Sequence, residues 1–246
     1  MGEEKKKTDW AEMIHLFPEK KQIDQSRLVS RLEKPKGKVD VILDTDTYNE
    51  IDDQFALAYL IKSDDKLNLE AVYAAPFYNH HSSGPGDGME KSYQEIMKVL
   101  DLMERPEFKE VTYRGSTTYL PSEEEAVDSP AARDLVRRAM ERDEDNPLYV
   151  VAIGAITNIA SAILLEPEII KKIVVVWLGG NALEWHDNHE FNLYQDVAAA
   201  RIIFGSGVPL VQLPCMGVVS AFATTGPELT YWLKGKNALC DYLLEN

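Results

Sequence analysis

Short apolar runs alternate with amphipathic stretches along the chain from residue 39 onward. Val39–Asp44, Leu67–Ala74, Glu110–Tyr113, Leu148–Ile153, Ile173–Leu178 and Pro209–Leu213 read as strands. Most are rich in Val, Ile and Leu, as strands covered on both faces are. Helices are predicted over Asp52–Lys62, Met89–Leu102, Thr157–Leu165, Asp196–Phe204 and Glu228–Leu233, and from Ser129-Pro130 to about Arg142. In the first of these, Phe55, Ala58 and Ile61, with Ile51 just before, share one broad face. Ser129-Pro130 is an N-cap followed by proline at the first helical position. This alternation predicts an α/β fold: an open, mostly parallel sheet with helices on both faces. Ligands of such sheets bind beyond the carboxyl ends of the strands.

Residues 1–37 are highly charged and close on the turn Lys34-Pro35-Lys36-Gly37. They read as an N-terminal extension, partly helical, packed on the domain or on a partner subunit; residues 38–246 form the α/β domain. The sheet is Rossmann-like, but no Gly-x-Gly-x-x-Gly follows the first strand, which argues against dinucleotide binding. The polar, glycine-rich stretch Asn79–Gly88 reads as a long loop of the kind that forms lids.

Composition narrows the partners. Of 246 residues, 45% are hydrophobic, enough for a substantial core. A net charge of −15 argues against nucleic acid or an anionic membrane as partner. Cys215 and Cys240 make neither a disulfide framework nor a zinc spacing, so a reducing compartment is expected. No apolar run approaches the roughly 20 residues of a membrane span. The start of the chain does not read as a signal peptide, and a cytoplasmic location is expected.

Chemistry concentrates at the end of the first strand. Asp44, Asp46, Glu50, Asp52 and Asp53 place five carboxylates within ten residues. Their mutual repulsion raises the pKa of some of them. A fold keeps such a cluster at low cost when a cation neutralises it, and an all-oxygen donor set suits Ca²⁺ or Mg²⁺. Asp52 and Asp53 are also favourable first-turn carboxylates for the helix that follows, and Thr157-Asn158 also reads as a helix N-cap.

Three motifs in order resemble the nucleoside hydrolase family of the inosine–uridine preferring type. They are Asp44-Thr45-Asp46…Asp52-Asp53, Gly154-Ala155-Ile156-Thr157-Asn158, and Glu190-Phe191-Asn192 after Gly179-Gly180. The resemblance spans about residues 39–215. It implies Ca²⁺-dependent hydrolysis of the N-glycosidic bond of ribonucleosides, releasing base and ribose. By the same resemblance Asp46 is the general base and a calcium ligand. Asp53, the backbone carbonyl of Thr157, and Asp44 directly or through its neighbours complete the metal site. Asp52 holds a ribose hydroxyl, and Glu190 and Asn192 hydrogen-bond the sugar. The resemblance further implies a homodimer or homotetramer.

The sequence departs from the family pattern in three places. The family's Asp-Pro-Gly-x-Asp-Asp is here two residues longer and lacks Pro-Gly, bringing Tyr48, Asn49 and Glu50 into the loop. The stretch Asn181–His189 is unlike the family's, leaving Asn188 as the candidate sugar contact, with Trp185, His186 and His189 beside it. No His-Asp motif follows Pro214, so the expectation is either that the domain is truncated at its C-terminus or that another subunit or element supplies the missing calcium ligand. Two other readings compete. One is a haloacid-dehalogenase-like, Mg²⁺-dependent phosphatase with Asp44 as nucleophile and Asp46 as acid/base. The other is a nucleoside-binding protein without turnover.

Overall fold

The computed structural model describes residues 23–246 and shows an α/β sandwich of three layers. Its sheet has six parallel strands: β1 (Val39–Thr45), β2 (Leu67–Ala74), β3 (Thr112–Arg114), β4 (Leu148–Ala152), β5 (Ile173–Leu178) and β6 (Leu210–Leu213). Their order is β3-β2-β1-β4-β5-β6. The helices are α1 (Gln25–Arg31), α2 (Asp52–Lys62), α3 (Pro85–Leu102), α4 (Pro130–Met140), α5 (Thr157–Leu165), α6 (Phe191–Gln195), α7 (Val197–Gly205), α8 (Gly226–Leu233) and α9 (Ala238–Glu245).

Strand alternation divides the core in two. Ile42, Tyr73, Val150, Val175 and Trp177 point to one face and pack with Leu135 of α4, Ile159 and Ile163 of α5, and Ile202 of α7. Val41, Leu43, Val72 and Ala74 point to the other and pack with Leu57 and Ile61 of α2, Ile96 and Val99 of α3, and Leu239 and Leu243 of α9. A period of two along each strand produces this division. Burying these apolar surfaces is the main term that stabilises the domain.

Strands β2 and β5 and helices α2 and α5 coincide with the predicted ranges. β3 lies two residues later than predicted, because Pro106–Val111 winds into a 3₁₀ helix and Thr112 Oγ1 donates to Phe108 O at 2.8 Å. α3 starts at Pro85 rather than Met89, with proline at its first turn. The stretch predicted as a long loop is therefore a short turn plus a helical turn. A Cβ on Gly88 would meet Phe77 O at 2.0 Å, so that glycine lets α3 approach the end of β2 closely. Asn79–Ser83 is tied by Asn79 Oδ1 to His81 N (2.9 Å), Ser82 Oγ to Phe77 O (3.0 Å) and Asp87 Oδ2 to Ser83 N (2.8 Å). Helices α6 and α9 were not predicted. Of the N-terminal extension, residues 1–22 lie outside the described residues, and α1 is its helical part. Among the described residues no helix is long and apolar enough to cross a membrane.

Candidate active site

The sheet order reverses between β1 and β4, so their carboxyl ends border the crevice where such sheets bind ligands. The acidic cluster stands there. β1 carries Asp44 inward and delivers Asp46 just past its end, and α2 opens with Asp52 and Asp53. The two strand ends are in direct contact, with Ile153 N donating to Asp44 O at 2.9 Å. Gly154 makes room beside the cluster: a Cβ there would meet Ala75 Cβ at 3.1 Å and Asp46 Cγ at 3.2 Å.

Three of the carboxylates are almost wholly buried: Asp44 is 0%, Asp46 1% and Asp53 4% exposed. Asp44 Oδ1 accepts a hydrogen bond from Asn158 Nδ2 at 2.7 Å, whereas its Oδ2 has no partner. Neither oxygen of Asp46 has one. Asp53 accepts from the Thr45 hydroxyl. Burial pushes the Asp44 carboxyl up to about 7. It pushes Asp46 well above the usual carboxylate range, and the charges of Asp52, Asp44 and Glu50 add to the effect. Asp53 is raised by burial and then by Asp46. Asp52 is exposed at the rim.

Thr157 and Asn158 are fully buried, and neither caps α5. Thr157 Oγ1 donates to Asp196 Oδ2 at 2.7 Å, and Asn158 joins Asp44 to Ser116, whose N donates to Asn158 Oδ1 at 2.7 Å. Long-range bonds replace the local cap that the sequence suggested. Glu190 caps α6: Oε1 accepts from Asn192 N (2.9 Å), and Oε2 from Leu193 N (3.0 Å) and Gly180 N (2.7 Å). Asn192 Nδ2 donates to Ile153 O and Leu178 O, both at 3.0 Å, and ties the ends of β4 and β5 together. Asn188 is exposed, and its Oδ1 accepts from Asn181 N at 2.6 Å.

The fold thus gathers Asp44, Asp46, Asp53 and Thr157 at the β1/β4 ends and sets Glu190 and Asn192 at the neighbouring β4/β5 ends. Glu50 links the two groups: partial burial, then the charges of Asp52 and Glu190, raise its pKa. Thr45 and Ser116 were not singled out from the sequence, and Asn158 was read only as part of a motif and as a helix N-cap. Tyr119 was also missed; its phenol donates to Gln195 Oε1, and burial, Asp46 and Asp196 raise its pKa.

The orphaned oxygens of Asp44 and Asp46 are hard donors that fit Ca²⁺. They are only part of a shell of about 6–8 oxygens. Among the described residues, no three His, Cys, Asp or Glu side chains converge closely enough to hold a metal by themselves. A buried carboxylate oxygen without a donor is costly unless a cation meets it, and that cost favours a cation at these atoms. Carbonyls, water and substrate hydroxyls would fill the remainder.

The family model for inosine-uridine preferring nucleoside hydrolases matches residues 41–244. The pyrimidine-specific ribonucleoside hydrolase RihA of Salmonella paratyphi A is 28% identical over 195 residues, which cover 70% of this chain and 58% of that protein. The chain therefore spans less than two thirds of the length of the curated relatives it matches. Among solved structures, a purine-preferring ribonucleoside hydrolase from Gardnerella vaginalis is 26% identical with a TM-score of 0.66, covering 84% of this chain and 70% of that one. The plant nucleoside hydrolase PpNRh1, 21% identical with a TM-score of 0.62, covers 86% of this chain and 70% of its own and shares the fold.

Proposed function

The chain belongs to the inosine-uridine preferring nucleoside hydrolase family, and from that premise we propose that it hydrolyses the N-glycosidic bond of ribonucleosides with Ca²⁺, releasing base and ribose. The observation that carries this reading is the pair of buried Asp46 oxygens without a hydrogen-bond partner, at the switch point of the sheet.

When bound, Ca²⁺ supplies a chelate for the ribose diol and lowers the pKa of a water. Asp46, Asp53, the Thr157 carbonyl and Asp44 Oδ2 are the donors that would hold it. Asp46 takes the proton of the attacking water. Asp52, exposed at the rim, accepts a ribose hydroxyl. Departure of the base leaves positive charge on the sugar, as in glycoside hydrolysis, and the surrounding carboxylates stabilise it. Glu190 already accepts three backbone N–H groups, and a carboxylate has room for a fourth donor from the sugar. Asn192 has committed its amide nitrogen to two carbonyls, so its Oδ1 is the atom offered to a hydroxyl. Asn188 keeps its Nδ2 to donate.

The test is ribose release from a panel of purine and pyrimidine nucleosides, with Ca²⁺ and with chelator. Calcium-dependent release is expected. Nucleoside binding in calorimetry without release would instead make this a binding protein. Hydrolysis of a phosphate ester through a phosphoaspartate would make it a phosphatase, a reading that the family match does not favour. The reading carries with it a homodimer or homotetramer, which light scattering tests, and a cytoplasmic location, which fractionation tests.

A further inference from the structure

A line of polar side chains that the proposed chemistry does not use runs beneath the acidic loop. Gln54 follows Asp53 in the first turn of α2 and is 6% exposed. Its Nε2 donates to Glu95 Oε1 at 3.2 Å. Glu95, on α3, is also 6% exposed, and no ion pair of Glu95 occurs among the described residues. The Tyr242 phenol on α9 donates to the same Oε1, and the Lys98 ammonium lies 3.9 Å from the Tyr242 ring centroid. One helical turn earlier on α3, the fully buried Ser92 accepts from Tyr48 N at 3.4 Å.

Residues 92 and 95 lie on one face of α3. That face therefore holds the acidic segment at both ends, Tyr48 through Ser92 and Gln54 through Glu95. Glu50, Asp52 and Asp53 lie between the two attachments. The surrounding layer is apolar, with Ile96, Val99, Leu239 and Leu243 buried in it. Apolar side chains would fill this space without the desolvation cost of a carboxylate. A hydrogen-bonded carboxylate does what they cannot: it fixes a direction.

We propose that Glu95 and Tyr242 are positioning residues that hold Gln54, and through its backbone Asp52 and Asp53, in the shape that receives cation and ribose. Helix α9 thereby becomes part of the site's scaffold. The catalytic consequence rests on the nucleoside hydrolase reading; the positioning does not.

The deciding experiment is amide hydrogen exchange on the full chain, metal-free and with chelator present. Tyr242→Phe removes one hydroxyl, and Glu95→Ala removes the acceptor. Tyr242→Phe should speed exchange of amides in 48–55 about tenfold, the value of one hydrogen bond to a charged group, and Glu95→Ala, which removes the acceptor of two, by at least as much, with β4 and β5 unchanged. Glu95→Gln, which keeps a neutral acceptor oxygen of the same reach, should retain most of the wild-type protection, losing less than Glu95→Ala. Unchanged exchange in 48–55 for Tyr242→Phe, or an equal rise across the sheet, overturns the proposal. Terbium binding, followed by its luminescence, should show a parallel rise in half-saturation for Tyr242→Phe. If wild-type protein releases no ribose while the exchange contrast holds, the hydrolase reading fails and the positioning stands.

Discussion

Asn158 donates its side-chain amide to Asp44 across 2.7 Å, joining the first turn of α5 to the carboxyl end of β1. The same amide's oxygen receives Ser116 N and Oγ, at 2.7 and 2.9 Å. With its Nδ2 also donating to Ala74 O at 3.3 Å, one asparagine satisfies four polar groups at the end of the sheet and fixes the direction in which Asp44 offers its other oxygen.

Asn158→Ala should unfold more readily than wild type by about 2–4 kcal/mol, because it strands a buried carboxylate oxygen and a buried backbone N–H. Urea denaturation with the slope held constant measures it. A loss under about 0.5 kcal/mol would mean that water replaces the amide without penalty.

Asp46→Asn should retain less than about a tenth of wild-type ribose release, since an amide cannot take a proton from water. Without metal, the same variant should be more stable than wild type at pH 7, because burial disfavours the charge it removes. A variant that keeps its rate contradicts the role as base.

The pH dependence has a definite sign. Burial lifts Asp44 from 3.8 to about 7, so the folded chain holds this proton more tightly than the unfolded chain. The associated stability is fully present below about pH 4 and is lost as pH rises toward 7, on the order of 4 kcal/mol. Other groups titrate with the opposite sign; Arg138 and Arg137 hold Asp134 below its usual value against its burial. The clean measurement is therefore the stability difference between Asp44→Asn and wild type in chelator. It should grow in favour of the variant from pH 4 to pH 7 and shrink or reverse in saturating Ca²⁺.

Two glycines should separate fold from site. A Cβ on Gly115 would lie 2.1 Å from Ala74 O, a backbone atom that cannot yield cheaply, so Gly115→Ala should cost more than about 2 kcal/mol. At Gly154 the nearest atoms stand at 3.1–3.2 Å and belong to the Ala75 and Asp46 side chains. Gly154→Ala should cost under about 1.5 kcal/mol in stability and lower ribose release at least about tenfold by moving Asp46. Calorimetry and kinetics on the same preparations test both.

Much of the frame was legible because its causes are local. The ranges of β2, β5, α2 and α5 follow from apolar runs bounded by polar residues. The carboxylate cluster could be read from spacing alone. The start of α3 was not legible, because Gly84, Gly86 and Gly88 read as loop until Phe77 is seen against the helix. The capping alternative for Thr157-Asn158 fails because their side chains reach partners, Asp196 and Asp44, that lie far away in sequence. The Glu95–Tyr242 contact is more distant still and leaves no periodic trace.

The central place of β1 has a consequence for how the molecule is made. It pairs with β4 along its inner edge, and Ala152, the β4 partner of Asp44, lies 108 positions later in the chain. At ordinary rates of synthesis, about 5–20 residues per second, that edge waits roughly 5–22 s for its neighbour. Val41, Ile42 and Leu43 then present an unpaired apolar edge, a template for another emerging chain. Asp44 and Asp46, still in water and charged, stand at the end of that edge. Until the sheet closes and buries them, their like charges oppose in-register pairing of two nascent copies.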